Sequence, residues 1–430
     1  MCANVTMAWA PRGLERRQPN PASGRVIVFA RPMSAASADS APPLPPEPPS
    51  EARTTKASAP PQGWVVRADT AEPIRIWGLS PEERLLRALR RAGCIAPRVA
   101  DATDAPPASP STLLVRGDVV LDERLVAGLA EAPGVVLANA SQGALGAHVA
   151  SDRAPEVAAA LARGESIAAP GLREIAPDRL VPAYVAKLRK RETPFAFVAS
   201  PENAAEIEGH TFGASYKGLT DLVTKWVWPR PAAAATRWCA ERRVHPNTVT
   251  LWSWALAIAA FGLFARGDFG IGLLCAWTMT FLDTVDGKLA RVTLTSSRLG
   301  DVLDHGLDLL HPPFWWWAFG AGLGPGHEWA TIVVVGGYLV GRALEGAFLA
   351  RFGFETHSWR PADALFRTIT ARRNPNLILL SVGWLCARPD LGFALVALWT
   401  LASLAFHGLR LAQAELRRHR GVRITPWESA

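Results

Sequence analysis

The chain has 430 residues, 49% of them hydrophobic and 17 of them tryptophan, with a formal net charge of +8. That length allows two or three domains, and five scattered cysteines (Cys2, Cys94, Cys239, Cys275, Cys386) without CxxC or metal spacing argue against a disulfide framework and suit a reducing cytosolic face. The basic balance would suit nucleic acid, but the arginines cluster around apolar spans, so we expect no nucleic-acid partner and read them as holding cytoplasmic loops beside anionic lipid.

Residues 1–62 are rich in Pro, Ala and Ser, nearly polyproline from Pro42 to Pro49, and are expected to be disordered. Arg16-Arg17 is not followed by an apolar run, so no signal peptide is expected, and Val26–Ala30 reads as a stray strand or part of an upstream reading of the start codon. Residues 63–211 read as a soluble α/β domain. Pro81–Cys94 has helical periodicity with Leu85, Leu86 and Leu89 on one side, while 113–115, 135–138 and 195–198 are strand candidates. The order of elements resembles that of sugar-phosphate nucleotidyltransferases, and WGLSPEERLLRALRRAG is similar to the helix after their first strand. The glycine-rich, basic loop that cradles the triphosphate is missing before that helix, so the resemblance implies an inactive domain, expected to be dispensable for chemistry. Asp118 is read as a turn residue in preference to a relic metal ligand.

Residues 212–246 interleave Trp226, Trp228 and Trp238 with Lys225, Arg230, Arg237, Arg242 and Arg243, which suits an amphipathic helix lying in the headgroup layer. Asn247 is a good N-cap for the first of six expected spans, at about 249–265, 268–288, 302–322, 329–350, 376–388 and 391–410. Several fall short of the roughly 20 residues of a straight span. Lys and Arg crowd one side of these spans, from Arg242 and Arg243 through Arg351 to Arg423, while the other side has Arg266 and Arg388. The positive-inside rule then puts both termini and the acidic stretch described next on the cytosolic side. Arg342 and Glu345, at i,i+3 within the fourth span, are expected to pair.

The stretch from Asp283 to Asp308 organises the whole. Asp283 and Asp286 share a helix face at i,i+3, and Asp304 and Asp308 share one at i,i+4. Gly287 and Ala290 leave the first face nearly smooth, and the polar hinge Thr293–Ser297 lets the two helices fold back antiparallel. Four like charges beside apolar runs repel one another and are costly in a bilayer. Hard divalent cations resolve both problems, since carboxylate oxygens are their preferred ligands. His305 and His311 are left out because such ions prefer the aspartates.

The spacing D-x2-D-G-x2-A-R-x8-G-x3-D-x3-D is complete here, and by it the chain resembles the CDP-alcohol phosphatidyltransferase family. That resemblance implies an α-helical polytopic membrane bundle of six transmembrane helices at 247–415, preceded by the smaller soluble α/β domain and the disordered N-terminus and followed by a basic cytosolic tail at 416–430. It implies an integral membrane enzyme of phospholipid biosynthesis, in the inner membrane if bacterial, that moves a phosphatidyl or substituted phosphoryl group from a CDP-linked donor to an alcohol and releases CMP. Two Mg²⁺ or Mn²⁺ ions would sit on Asp283, Asp286, Asp304 and Asp308, with Asp308 also the general base. Asn247 and Thr250, in a similar P-N-x-x-T, would approach the donor, and Gly287, Ala290, Arg291, Ser297 and Gly300 would contact its CDP moiety. The junction is also similar to the linker joining an inositol-phosphate cytidylyltransferase to this family, which raises CDP-inositol as donor and an inositol phosphate as acceptor. A scaffold that kept the fold without catalysis is the rival, and the intact motif argues against it. Arg367, Arg372 and Arg373, with Asn374 and Asn376 at a helix entrance, are the acceptor-binding candidates. A lipid bilayer is the expected surrounding, and a homodimer is left open.

Overall fold

The computed structural model describes residues 59–427 apart from 70–72, 186 and 297, and gives backbone only at 298, 299, 301, 303–305 and 307. The segment expected to be disordered, with Val26–Ala30, therefore lies outside the described residues up to residue 58, as does Ser297.

The α/β part begins with β1 (Gln62–Val66), α1 (Pro81–Arg91), β2 (Ile95–Ala100), β3 (Ser111–Arg116), β4 (Val119–Leu121), α2 (Glu123–Ala130), β5 (Val135–Asn139) and β6 (Gly143–Ala150). It continues with α3 (Ala154–Ala162), β7 (Arg173–Ile175), α4 (Pro177–Leu180), β8 (Tyr184–Val185), β9 (Lys190–Arg191) and β10 (Ala196–Val198). Six strands form a mixed sheet in the order β2-β1-β3-β6-β5-β7, with β1 parallel to both neighbours and β6 antiparallel to both of its own. Alternation along β3 splits the core. Leu113 and Val115 face α1 and α2, while Leu114 faces α3. The α1 start is written in the sequence: Ser80 accepts from the Glu83 amide, Glu83 accepts from the Ser80 amide, and Pro81 takes the first turn.

A helical half follows. It comprises α5 (Ala204–Ala214), a π-helical turn at Val223–Val227, α6 (Pro229–Glu241), α7 (Pro246–Ala265), α8 (Phe269–Val292) and α9 (Arg298–Leu323). Then come α10 (Glu328–Phe352), α11 (Pro361–Arg367), α12 (Arg373–Leu385) and α13 (Pro389–His419). Helix α7 packs on α8 and α9, α10 on α13, and α12 on α8 and α13. Phe264, Trp315, Phe319 and Phe393 fill the bundle centre, with Phe319 centroids 5.2 Å from Phe264 and 5.3 Å from Phe393. At Gly383 a Cβ would stand 2.6 Å from the Gly392 Cα, so glycine lets α12 and α13 meet backbone to backbone. Large apolar side chains such as Trp252, Ile258, Ile271, Leu274, Ile332 and Leu398 point outward, as on a lipid-facing wall.

The six expected spans fall on α7, α8, α9, α10, α12 and α13; among the described residues three of these helices, Pro246–Ala265, Glu328–Phe352 and Pro389–His419, are long and apolar enough to cross a membrane. Charged residues of the acidic stretch dilute α8 and α9, and α12 has 13 residues, fewer than the roughly 20 a straight span needs. Other expectations need correction. The N-cap of α7 is His245, whose Nδ1 accepts from the Asn247 amide, so Asn247 lies inside the helix. The boundary expected at 211 cuts α5, and α13 runs past 415 to His419. The junction is a π-turn plus α6, not one helix; Trp226 and Trp238 are exposed, whereas Trp228 stacks edge-on against Trp277 and Phe281.

The two halves share contacts at the end of α8. Buried Arg84 donates to the Val292 carbonyl at 2.5 Å, and Arg87 donates to the Thr293 carbonyl at 2.6 Å. These carbonyls have no intrahelical partner, and cations are favourable at a helix C-terminus. Burial pushes the Arg84 guanidinium down to about 10, which leaves it charged at neutral pH. Leu294, with φ at 55°, turns into the same core cluster as Leu85 and Leu125.

Candidate active site

Helix α8 carries Asp283 and Asp286 one turn apart and presents them differently. Asp286 is buried, and its Oδ2 accepts from the Thr250 hydroxyl of α7 at 2.6 Å. Asp283 faces a cavity of about 550 Å³. On α9, Asp308 reaches the same cavity. Arg373, at the start of α12, joins the two carboxylates: one Nη donates to Asp283 at 2.5 Å and the other to Asp308 at 2.8 Å. A guanidinium thus stands where two acidic helices converge.

The position of Asp308 has a local cause. Pro312 and Pro313 lie inside α9 and lack the amide hydrogens that would bond the carbonyls of Asp308 and Leu309. The Tyr338 hydroxyl of α10 meets those two carbonyls, at 3.2 and 3.0 Å. His311, left out as a ligand, is buried with its ring 4.5 Å from that of Trp315.

Of the residues named from sequence, Asp283, Gly287, Arg291, Asp308, Arg367, Arg372 and Arg373 line this cavity. Asn247, Thr250, Asp286, Ala290 and Gly300 are not among its described lining residues; Thr250 and Asp286 bond to each other between α7 and α8. Ser297 lies outside the described residues, and Asp304 is placed on α9 by backbone alone. The Arg291 guanidinium folds over Gly287, where a Cβ would meet it at 3.0 Å.

The acceptor candidates part company. Arg373 belongs to the aspartates, and Arg372 grips Glu345 with one Nη, 2.6 Å from each carboxylate oxygen. Arg342 also pairs with Glu345, as expected from their spacing. Asn374 is buried and donates to Asp221 at 2.9 Å, so it fixes the junction to α12 and does not face the cavity. Asn376 is buried as well.

Sequence reasoning missed Tyr216, Lys217, Lys288 and Tyr338 as lining residues. The Lys288 ammonium lies 3.2 Å from the centre of the Tyr216 ring and donates to the Ser215 carbonyl. Aromatic-basic interleaving in the junction was the available signal for Tyr216 and Lys217, but it pointed to lipid. Asp118 is held by a two-pronged pair with Arg116 at 2.6 and 2.8 Å, a fixed turn residue as read.

Glu345, His357 and His407 bring three ligand atoms within 4.8 Å of one another. Burial holds the His357 imidazole down at about 4, hence neutral, and its Nδ1 lies 3.2 Å from the Asp363 carbonyl, which gives that nitrogen the proton. The Glu345 charge is already met by two guanidiniums, so a dication there would add to a positive end. At the other end the Asp283 and Asp308 carboxylates share the Arg373 guanidinium between them.

Residues 243–407 match the family model of the CDP-alcohol phosphatidyltransferases. A bifunctional IPC transferase and DIPP synthase of Rubrobacter xylanophilus is 29% identical over 225 residues, 49% of this chain and 46% of that protein. Cholinephosphotransferase 1 of Xenopus laevis is 29% identical over 135 residues, 28% of this chain and 32% of its own length. A phosphatidylinositol phosphate synthase of Mycobacteroides abscessus is 34% identical over 84 residues, 18% of this chain and 38% of its own length. The chain thus spans less than half the length of each of these relatives.

Proposed function

We propose that the chain, whose residues 243–407 carry a CDP-alcohol phosphatidyltransferase domain, is an integral membrane enzyme that transfers a phosphatidyl or substituted phosphoryl group from a CDP-linked donor to an alcohol. The observation that carries this reading is the convergence of Asp283 and Asp308, from two helices, on one cation at the wall of a cavity of about 550 Å³.

Asp283, Asp286, Asp304 and Asp308 would hold Mg²⁺ or Mn²⁺, which when bound neutralises the diphosphate and polarises its phosphorus–oxygen bonds. Arg291 and the bare backbone face at Gly287 receive the donor's phosphates. Asp308 takes the proton of the acceptor hydroxyl. The acceptor oxygen bonds to the distal phosphorus of the donor, the bridging P–O bond breaks, and CMP leaves with that electron pair. Tyr338 keeps the turn that bears Asp308 in place.

In this reading α7, α8, α9, α10, α12 and α13 all cross the bilayer, with both termini and the acidic helices on the cytoplasmic side. Support comes from the clustering of Lys and Arg on that side and from the outward apolar faces of the bundle. A more specific reading, an inositol-phosphate acceptor with CDP-inositol as donor, is favoured by one observation. The Rubrobacter match, over 225 residues, is longer than the family segment 243–407, and that relative is a bifunctional IPC transferase and DIPP synthase.

Purified protein in bilayers, given CDP-diacylglycerol, CDP-inositol or other CDP-alcohols together with alcohol acceptors, is expected to release CMP, and chelation should stop it. No CMP from any such pair in Mg²⁺ or Mn²⁺ would refute the proposal.

A further inference from the structure

The α/β half does more than precede the bundle. Its β8–β9 hairpin, with Tyr184 opposite Arg191 and Val185 opposite Lys190, reaches the cavity wall through Arg189. Among the described lining residues Arg189 is the one that comes from before residue 212. The hairpin is seated from several sides. The Gly218 amide donates to the Leu188 carbonyl at 2.7 Å, and the Lys190 ammonium donates to the Ala214 carbonyl at 2.8 Å. A Cβ at Gly218 would stand 2.2 Å from the Arg189 carbonyl oxygen, so only glycine admits this approach. The contacts of Arg84 and Arg87 with the end of α8 anchor the same half at a second place.

Charge defines what that wall can bind. Arg189 pairs with Glu355, Glu345 is matched by Arg342 and Arg372, and Asp221 accepts from the Asn374 amide and the Thr224 hydroxyl, so the lining carboxylates other than Asp283 and Asp308 are all engaged. Arg367 lines the same wall. Arg189, Arg342, Arg367 and Arg372 thus outnumber the Glu345, Glu355 and Asp221 carboxylates that line the cavity with them. Arg189 lines the cavity with about a quarter of its side chain exposed while it is paired with Glu355.

We propose that Arg189 is a specificity residue of the active site, through which the α/β domain grips an anionic, phosphate-class group on the acceptor. The inference rests on the transferase reading above and deepens it. It replaces the expectation that residues 63–211 are dispensable for chemistry.

Two variants separate charge from architecture. Arg189→Gln and Glu355→Gln break the same ion pair, but only the first removes the cation. With myo-inositol 1-phosphate as acceptor probe, Arg189→Gln should raise the acceptor KM about tenfold, the loss of one charge-assisted hydrogen bond, with donor KM unchanged. Glu355→Gln should not raise it, and Arg189→Lys should recover part of the loss. The KM for myo-inositol, where it reacts, should be insensitive to Arg189→Gln. Equal effects of Arg189→Gln and Glu355→Gln, or none from Arg189→Gln, would overturn the proposal. A reading independent of turnover is the thermal shift produced by inorganic phosphate against chloride at equal ionic strength. Wild type should be stabilised and Arg189→Gln much less so, while equal shifts in the two, or none in wild type, contradict the inference. If wild type releases no CMP, the transferase reading falls, and the phosphate shift still decides the role of Arg189.

Discussion

Two prolines set the placement of the proposed base. Pro312 and Pro313 interrupt the hydrogen-bond ladder of α9 one turn after Asp308, and the Tyr338 hydroxyl takes up the carbonyls they release. Replacing Tyr338 with Phe removes that donor at a cost of about 1 kcal/mol. We expect kcat to fall about tenfold, as for a slightly misplaced catalytic group, with little change in the melting temperature. A kcat equal to wild type in a kinetic assay would mean that packing alone holds the turn. The prolines are plain in the sequence, but their partner 26 residues after Pro312 is not, because pairing across helices depends on how the bundle closes. The same limit explains Arg373. Its charge and its loop were legible, and its attachment to Asp283 and Asp308 was not, since three helices must meet to create it.

At the scale of elements, what was local was legible. The capping box, Pro81 and the leucine face announce α1, and the acidic stretch announces α8 and α9. Sheet order was hidden, because β3 pairs with β6 across some thirty residues of intervening chain while β1 runs parallel to both its neighbours. The docking of α1 on α8 was equally hidden, although Arg84 sits at the buried edge of an obviously amphipathic helix. Arg84→Met should leave the Val292 carbonyl buried without its donor and destabilise the protein by about 1–3 kcal/mol. Thermal unfolding and CMP release should fall together in this variant, because the end of α8 moves with the donor-binding face. Unaltered melting and unaltered turnover would show that the α/β half is a passive neighbour of α8.

For the whole molecule, charge and apolarity are sorted into different places. Outward apolar faces surround a tightly packed aromatic centre, and the acidic helices α8 and α9 open on a cavity that basic residues also line. The family motif announced that acidic core from eight residues at fixed offsets. It said nothing of the basic wall, whose members are spread from Arg189 to Arg372 and acquire meaning only when the chain is folded. In the proposed function these carboxylates run a divalent-dependent transfer that releases CMP. The most direct measurement is CMP release across a Mg²⁺ and Mn²⁺ titration for wild type, Asp283→Asn and Asp308→Asn. Wild type should be active only with the divalent ion, and Asp283→Asn should be weak but partly recovered at high metal, since one carbonyl oxygen remains while the charge is lost. Asp308→Asn should stay down by about 10²–10⁴-fold at every concentration, because an amide cannot take the hydroxyl proton. Turnover without any divalent ion, or turnover untouched by both substitutions, would contradict the account.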